Sequence, residues 1–344
     1  MKPPFLREFF AFSDWANNRL MQLSAGLPDR DLDRPFEMGP GSLRKTLNHL
    51  WAAERVWFDR WKGSAEPFYR AEPCRGPLSG LADDFRALAL ERNEFLASKT
   101  AADLDERVRY RSLRGDAYEH RLGELALHVC NHGVHHRAQA INMLRHLGVE
   151  LPRPGLDYIF MRLEMGPTAA PPALDRASLK TYFHYSDWAR HRIYASAAHL
   201  SDVQLDRTFQ LGVGSIRRTL MHIRFAEQWW LDNWVLGPGN PFPETPETTS
   251  IADLTQLFDE TVAARNAFID RISDEDLLKP VHAIPRPDVE RVFPLGVTML
   301  QLCCHGTHHR AQCLNMLRHV GATAPPLDVA VLLREANPVP IEHA

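Results

Sequence analysis

A tandem repeat constrains this chain more than any other feature. Ser13-Asp14-Trp15 returns as Ser186-Asp187-Trp188, and Thr46-Leu47 with His49 returns as Thr219-Leu220 with His222. Arg92-Asn93 returns as Arg265-Asn266. His132-Gly133, His135-His136-Arg137-Ala138-Gln139 and Asn142-Met143-Leu144-Arg145-His146 all return around His305, His308 and Asn315. Each second member lies 173 residues after the first. One unit has been duplicated with almost no net insertion, so whatever fold forms must form twice. The 344 residues accommodate two such domains. The repeat sets the expected boundaries: copy one over 1–165, a Pro-rich linker over 166–173, and copy two over 174–344, with a frayed Pro-containing tail near Asn337.

Within a copy, the 3.6-residue periodicity predicts four long helices, at 5–25, 42–61, 81–98 and 122–147 in copy one. Ser42 is suited to cap the second, and Gly148 to end the fourth. Residues 107–118 alternate around Gly115-Asp116 and read either as a short hairpin or as an irregular loop; copy two has Pro285 and Pro287 there. A short helix is expected after Asp157. The expected fold class is all-α, two tandem four-helix bundles.

Composition narrows the function. A net charge of −3 and the absence of a basic run remove the electrostatic drive of a nucleic-acid binder and argue against a membrane-surface protein. No stretch is apolar enough to span a bilayer, and Met1-Lys2-Pro3-Pro4 does not begin a secretory signal. Five cysteines, an odd number, do not suggest a disulfide scaffold, so a cytoplasmic location is expected.

The chain carries 17 histidines, and their placement is informative. On a helical wheel with His132 at zero, His136 falls at about 40°, Gln139 at about −20° and Met143 at about 20°. This is the stripe that faces a bundle core, so imidazoles stand where leucines belong. Buried imidazoles cost free energy unless their nitrogens find partners. Histidines at i and i+4 can reach one metal ion. His132 with His135 is the alternative pair, about 60° to the other side. His49, on the core-like stripe of the second helix, is the candidate third ligand. His222, His305 and His309 repeat the arrangement. His128 lies on the same stripe, but its counterpart is Gln301, so a ligand set common to both copies excludes it. His146 and His319 suit the helix C-terminal dipole.

Other polar residues read as less specific. Gln139 and Gln312 are placed to support the ligands or touch a substrate. Glu54 and Glu227 are candidate general acids or bases but read foremost as exposed or edge carboxylates, and Asp14 and Asp187 read as structural or site-lining in equal measure. Cys130 and Cys303 read as helix-packing residues, and Cys304 has no evident role. The tryptophans at 51, 57, 61, 229, 230 and 234 read mostly as packing. No carboxylate shares the histidine stripe of the fourth helix, which disfavours a two-histidine, one-carboxylate iron site.

Three segments in order, Ser-Asp-Trp-Ala-Asn at 13–17, Ser-Leu-Arg-x-Thr-Leu-Asn-His-Leu at 42–50 and Asn-His-Gly-x-His-His-Arg-Ala-Gln at 131–139, resemble the DinB family and its YfiT-like relatives. The resemblance covers nearly the whole chain, twice. It implies a four-helix bundle with a divalent metal on three histidines, one from the second helix and two from the fourth. These fall on His49, His132 and His136, then on His222, His305 and His309. Where the family motif usually has glycine, this chain has Ala138 and Ala311. Zinc or nickel is the implied metal, with iron or manganese next, and a low-molecular-weight thiol is the implied co-substrate. Thiol-dependent transfer on a small molecule is the expected activity. The alternatives are metal-dependent hydrolysis or a non-catalytic, stress-associated metal-binding role. Single-copy relatives resemble subunits that pair about a two-fold axis, so this chain is expected to be a monomer whose copies stand in for a homodimer, packed about a pseudo-two-fold axis.

Overall fold

A computed structural model describes residues 1–64, 77–112, 115–151, 155–166, 169–240, 242, 248–286 and 289–336. Pro287, part of the linker and the tail from Asn337 lie outside the described residues. The chain forms two compact units. One comprises Met1–Leu156 with Leu327–Ala344, the other Asp157–Pro326.

The first unit contains helices α1 (Pro3–Ser24), α2 (Asp29–Leu32), α3 (Leu43–Trp61), α4 (Leu78–Ala97) and α5 (Ala101–Asp105), strands β1 (Arg107–Arg111) and β2 (Ala117–Arg121), and α6 (Leu122–His146). The second contains α7 (Tyr158–Met165), α8 (Arg176–Ala197), α9 (Asp202–Leu205), α10 (Ile216–Val235), α11 (Ile251–Arg271), a 3-10 turn at Glu275–Leu278, β3 (Pro280–Arg286), β4 (Val289–Pro294) and α12 (Leu295–His319). Helix α13 (Val329–Ala336) follows and belongs to the first unit.

Local chemistry sets the helix ends. The Ser42 hydroxyl accepts from the Lys45 amide at 3.2 Å, and Ser215 accepts from Arg218 at 3.2 Å, which caps α3 and α10. Past α6, Gly148 takes φ +75°, the Val149 amide reaches the Leu144 carbonyl, and the Gly148 amide reaches that of Arg145. This pair of bonds is a Schellman closure, which a left-handed residue permits.

In the first unit, α1 and α3 each pack on α4 and α6, which makes a four-helix bundle. Phe5, Leu6, Phe9, Phe10 and Leu20 of α1 are fully buried in it. In the second unit, α8 and α10 each pack on α11 and α12. The all-α class therefore holds, and the 107–118 ambiguity resolves to a hairpin. Arg107 pairs with Arg121 and Arg111 with Ala117, in antiparallel register. Its counterpart, β3 with β4, carries a register shift between Ala283 and Arg286. Among the described residues, no helix is long and apolar enough to cross a membrane.

The compact units and the sequence repeats part company at the short helices. α7 ends copy one in sequence yet packs on α12, whereas α13 lies near the end of copy two and packs on α6. Each bundle is thus completed by the helix that ends the other repeat.

Candidate metal centre

Helix α3 carries His49, and α6 carries His132 and His136. The Nε2 atoms of His49 and His132 stand 3.2 Å apart. The His136 ring lies 4.4 Å from each of the other two, centroid to centroid. In the second unit, the Nε2 atoms of His222 and His305 stand 3.1 Å apart, and the His309 ring centroid lies 4.6 and 4.4 Å from theirs. In both groups, one nitrogen from each imidazole lies within 4.8 Å of the others, and the side chains are half-buried.

The donor set fits a divalent ion. Two metal–nitrogen bonds of about 2.0–2.1 Å at a tetrahedral angle hold their nitrogens about 3.3 Å apart, close to both measured separations. Burial, and then mutual repulsion, hold His132, His136, His305 and His309 well below the ordinary imidazole range. These rings are therefore neutral at physiological pH, the form that coordinates.

The glutamines on the same stripe fix the tautomers. Gln139 Oε1 lies 2.7 Å from His136 Nδ1, and Gln312 Oε1 lies 2.8 Å from His309 Nδ1. An amide oxygen can only accept, so Nδ1 carries the proton and the lone pair sits on Nε2. The amide Nε2 of each glutamine donates to His135 or His308, both at 3.0 Å. His135 and His308 thus give Nε2 to the amides and stand outside the three-imidazole groups, with their rings 4.9 and 5.1 Å from those of His136 and His309. Behind each glutamine lies a glycine with positive φ, Gly39 at +50° and Gly212 at +56°, where an added Cβ would collide with Oε1. Sequence reasoning passed over this pair. The signal was available, because Gly39 and Gly41 recur as Gly212 and Gly214 at the repeat spacing.

Glu54 and Glu227 are not exposed or edge carboxylates; they are only 6% and 7% exposed. Arg92 explains their burial. Its fully buried guanidinium pairs with Glu54 and, at 2.6 Å, with Asp14. Arg265 does the same with Glu227 and with Asp187 at 2.6 Å. Burial raises the Glu54 and Glu227 carboxyls, while the arginine opposes that shift. These are structural triads that join α1, α3 and α4, and α8, α10 and α11. The repeated Arg-Asn pair is their sequence trace.

Arg137 of the His-His-Arg motif is also structural. It donates to Asn17 at 3.3 Å and to Ser13 at 3.4 Å, which ties α6 to α1. Cys130, Cys303, Cys304 and Cys313 are all buried. Burial raises the Cys303 thiol strongly and pushes Cys313 up to about 12, so both stay protonated.

Fold and site together define a class: helical-bundle proteins with a three-imidazole group in each of two units, compatible with divalent metal binding. The chain belongs to the DinB family, which it matches over residues 1–166 and again over 175–341. Comparison with curated proteins and with solved structures gave no match.

Proposed function

We propose that His49, His132 and His136, and likewise His222, His305 and His309, each hold one divalent metal ion, zinc or nickel foremost, and that the protein is a metal-dependent thiol transferase. The observation that carries this reading is the recurrence of one three-imidazole group, with its glutamine clamp, in both units. A divalent ion on three neutral imidazoles retains an open position and lowers the pKa of a thiol bound there.

The chain's own residues support this division of labour. Gln139 and Gln312 hold one imidazole of each set in the coordinating tautomer. The described cysteines are buried, so none of them is available as the nucleophile. Glu54 and Asp14 are committed to Arg92, and Glu227 and Asp187 to Arg265. In this reading the nucleophile is brought by a second substrate, a low-molecular-weight thiol. Its sulfur bonds to an electrophilic carbon of the other substrate as the leaving group departs, and its proton passes to solvent or to that group.

The test is turnover of a panel of electrophiles with and without added thiols. We expect thiol-dependent turnover by the wild-type chain and at least a hundredfold loss in a His132→Ala/His305→Ala double variant whose circular dichroism is unchanged. Full activity in that variant sinks the proposal. Turnover that needs no thiol marks a hydrolase instead.

A further inference from the structure

His135 and His308 occupy the same place in the two copies. Both are half-buried, and both lie outside the groups of three imidazoles. Each stands one residue before a member of its group and four residues before a glutamine. Side chains three and four residues apart share a helix face. Gln139 therefore lies over both His135 and His136, and Gln312 over both His308 and His309. The amide is divided between the two rings. Its oxygen lies 2.7 Å from His136 Nδ1 and its nitrogen 3.0 Å from His135 Nε2. The second unit repeats these distances as 2.8 and 3.0 Å.

An amide turned by half a revolution keeps nearly the same shape but exchanges a donor for an acceptor. Turned in this way, the Gln139 NH2 group would face His136 Nδ1. That nitrogen would then have to accept, and the ring proton would move to Nε2, where coordination needs a lone pair. The amide does not choose between the two orientations by itself; the group at its other end does. An acceptor at His135 Nε2 is satisfied only while the NH2 group faces it. On the loop side the amide is confined by Gly39, whose turn is closed by a bond from the Phe36 amide to the Gly41 carbonyl at 2.8 Å. The corresponding bond, Phe209 to Gly214, measures 2.7 Å.

We propose that His135 and His308 are positioning residues of the two centres: each accepts from the glutamine NH2 group, aims the amide oxygen at the neighbouring imidazole and so keeps the proton of that ring on Nδ1. The inference rests on the metal-binding reading above and extends it one residue outward. With an apolar side chain at 135, the NH2 group loses its acceptor and nothing favours the present orientation over the turned one. A share of the His136 rings then carries the proton on Nε2 and must give it up before an ion can bind. Partners that orient a metal-ligating imidazole typically change affinity by about 10–100-fold.

The test has two arms, both on the full-length chain. In the first, nitrogen–proton correlation spectra of the metal-free chain, isotope-labelled at histidine, show which ring nitrogen carries the proton. Wild type should show His136 protonated on Nδ1. His135→Leu should add a population protonated on Nε2, and His135→Gln, whose own amide oxygen can accept, should restore the wild-type pattern. In the second, zinc affinity is measured by competition with a chromophoric chelator in a His222→Ala/His305→Ala background, which leaves the first site alone. There, His135→Leu should raise Kd by about tenfold, and His135→Gln should stay within about threefold of the parent. If His135→Leu fails to fold, His308→Leu puts the same question at His309 in a His49→Ala/His132→Ala background. A wild-type His136 protonated on Nε2, an unchanged tautomer or an unchanged Kd in His135→Leu, or equal losses in His135→Leu and His135→Gln overturns the proposal. A wild-type chain that takes up no zinc sinks the metal-centre reading and the role assigned here with it. Wild-type uptake with an indifferent His135→Leu sinks this inference alone.

Discussion

At the scale of single residues, His128 separates the two copies most sharply. It is buried against Trp57, their rings 5.0 Å apart, and its Nδ1 is without a hydrogen-bond partner. Burial pushes its pKa down to about 4. The unfolded chain takes up a proton on this residue near pH 6.5, whereas the folded chain does not until near pH 4. A depressed folded value means that the stability is present above pH 6.5 and is lost as pH falls toward 4. At about 1.4 kcal/mol per unit, the loss reaches about 3 kcal/mol. His128→Gln installs the residue that the second copy has at position 301. Urea unfolding of the metal-free chain should show a stability drop between pH 7 and pH 4.5 that is smaller in this variant than in wild type. An identical drop would assign the acid sensitivity elsewhere. The buried carboxylates show the limit of residue-level reading. Glu54 looked peripheral on its own helix because its partner, Arg92, lies on another one, and no local pattern announces such a pairing.

At the scale of elements, the long helices were readable because periodicity, caps and terminal glycines are local signals. Expected boundaries at 42–61 and 122–147 sit within one residue of α3 and α6. The short helices behave differently. α13 is apolar on the face formed by Val329 and Ala330, and these, with Leu327, are buried in the first unit. Ending the chain at Pro326 removes apolar burial worth about 3–5 kcal/mol from that unit. The second unit, 157–326, remains whole. In differential scanning calorimetry, one transition should fall by roughly 10 °C while the other holds its position. Two unmoved transitions would show that α13 contributes nothing to the bundle it packs on.

At the scale of the whole molecule, the duplication carries its own prediction. A covalent pair of bundles is expected to stand in for a homodimer, so light scattering after size exclusion should return the mass of one chain, and elemental analysis two divalent ions per chain. A two-chain mass would refute the monomer.

The amino-acid order alone determined the all-α class, the duplication, the four long helices per copy and the stripe on which the imidazoles stand. All of these follow from spacing within one helix or from the comparison of two copies, and neither requires knowing what packs on what. Only the tertiary structure decided that three imidazoles from two helices meet, that His135 turns to an amide, that Glu54 is buried on Arg92, and that α7 and α13 each pack on the helix that carries two imidazoles of the other repeat. These are contacts between segments far apart along the chain. Their geometry is set by how apolar faces pack in three dimensions, and the 171-residue spacing of the Leu-Asp pairs that precede α7 and α13, two short of the repeat, concealed even the equivalence of those two helices.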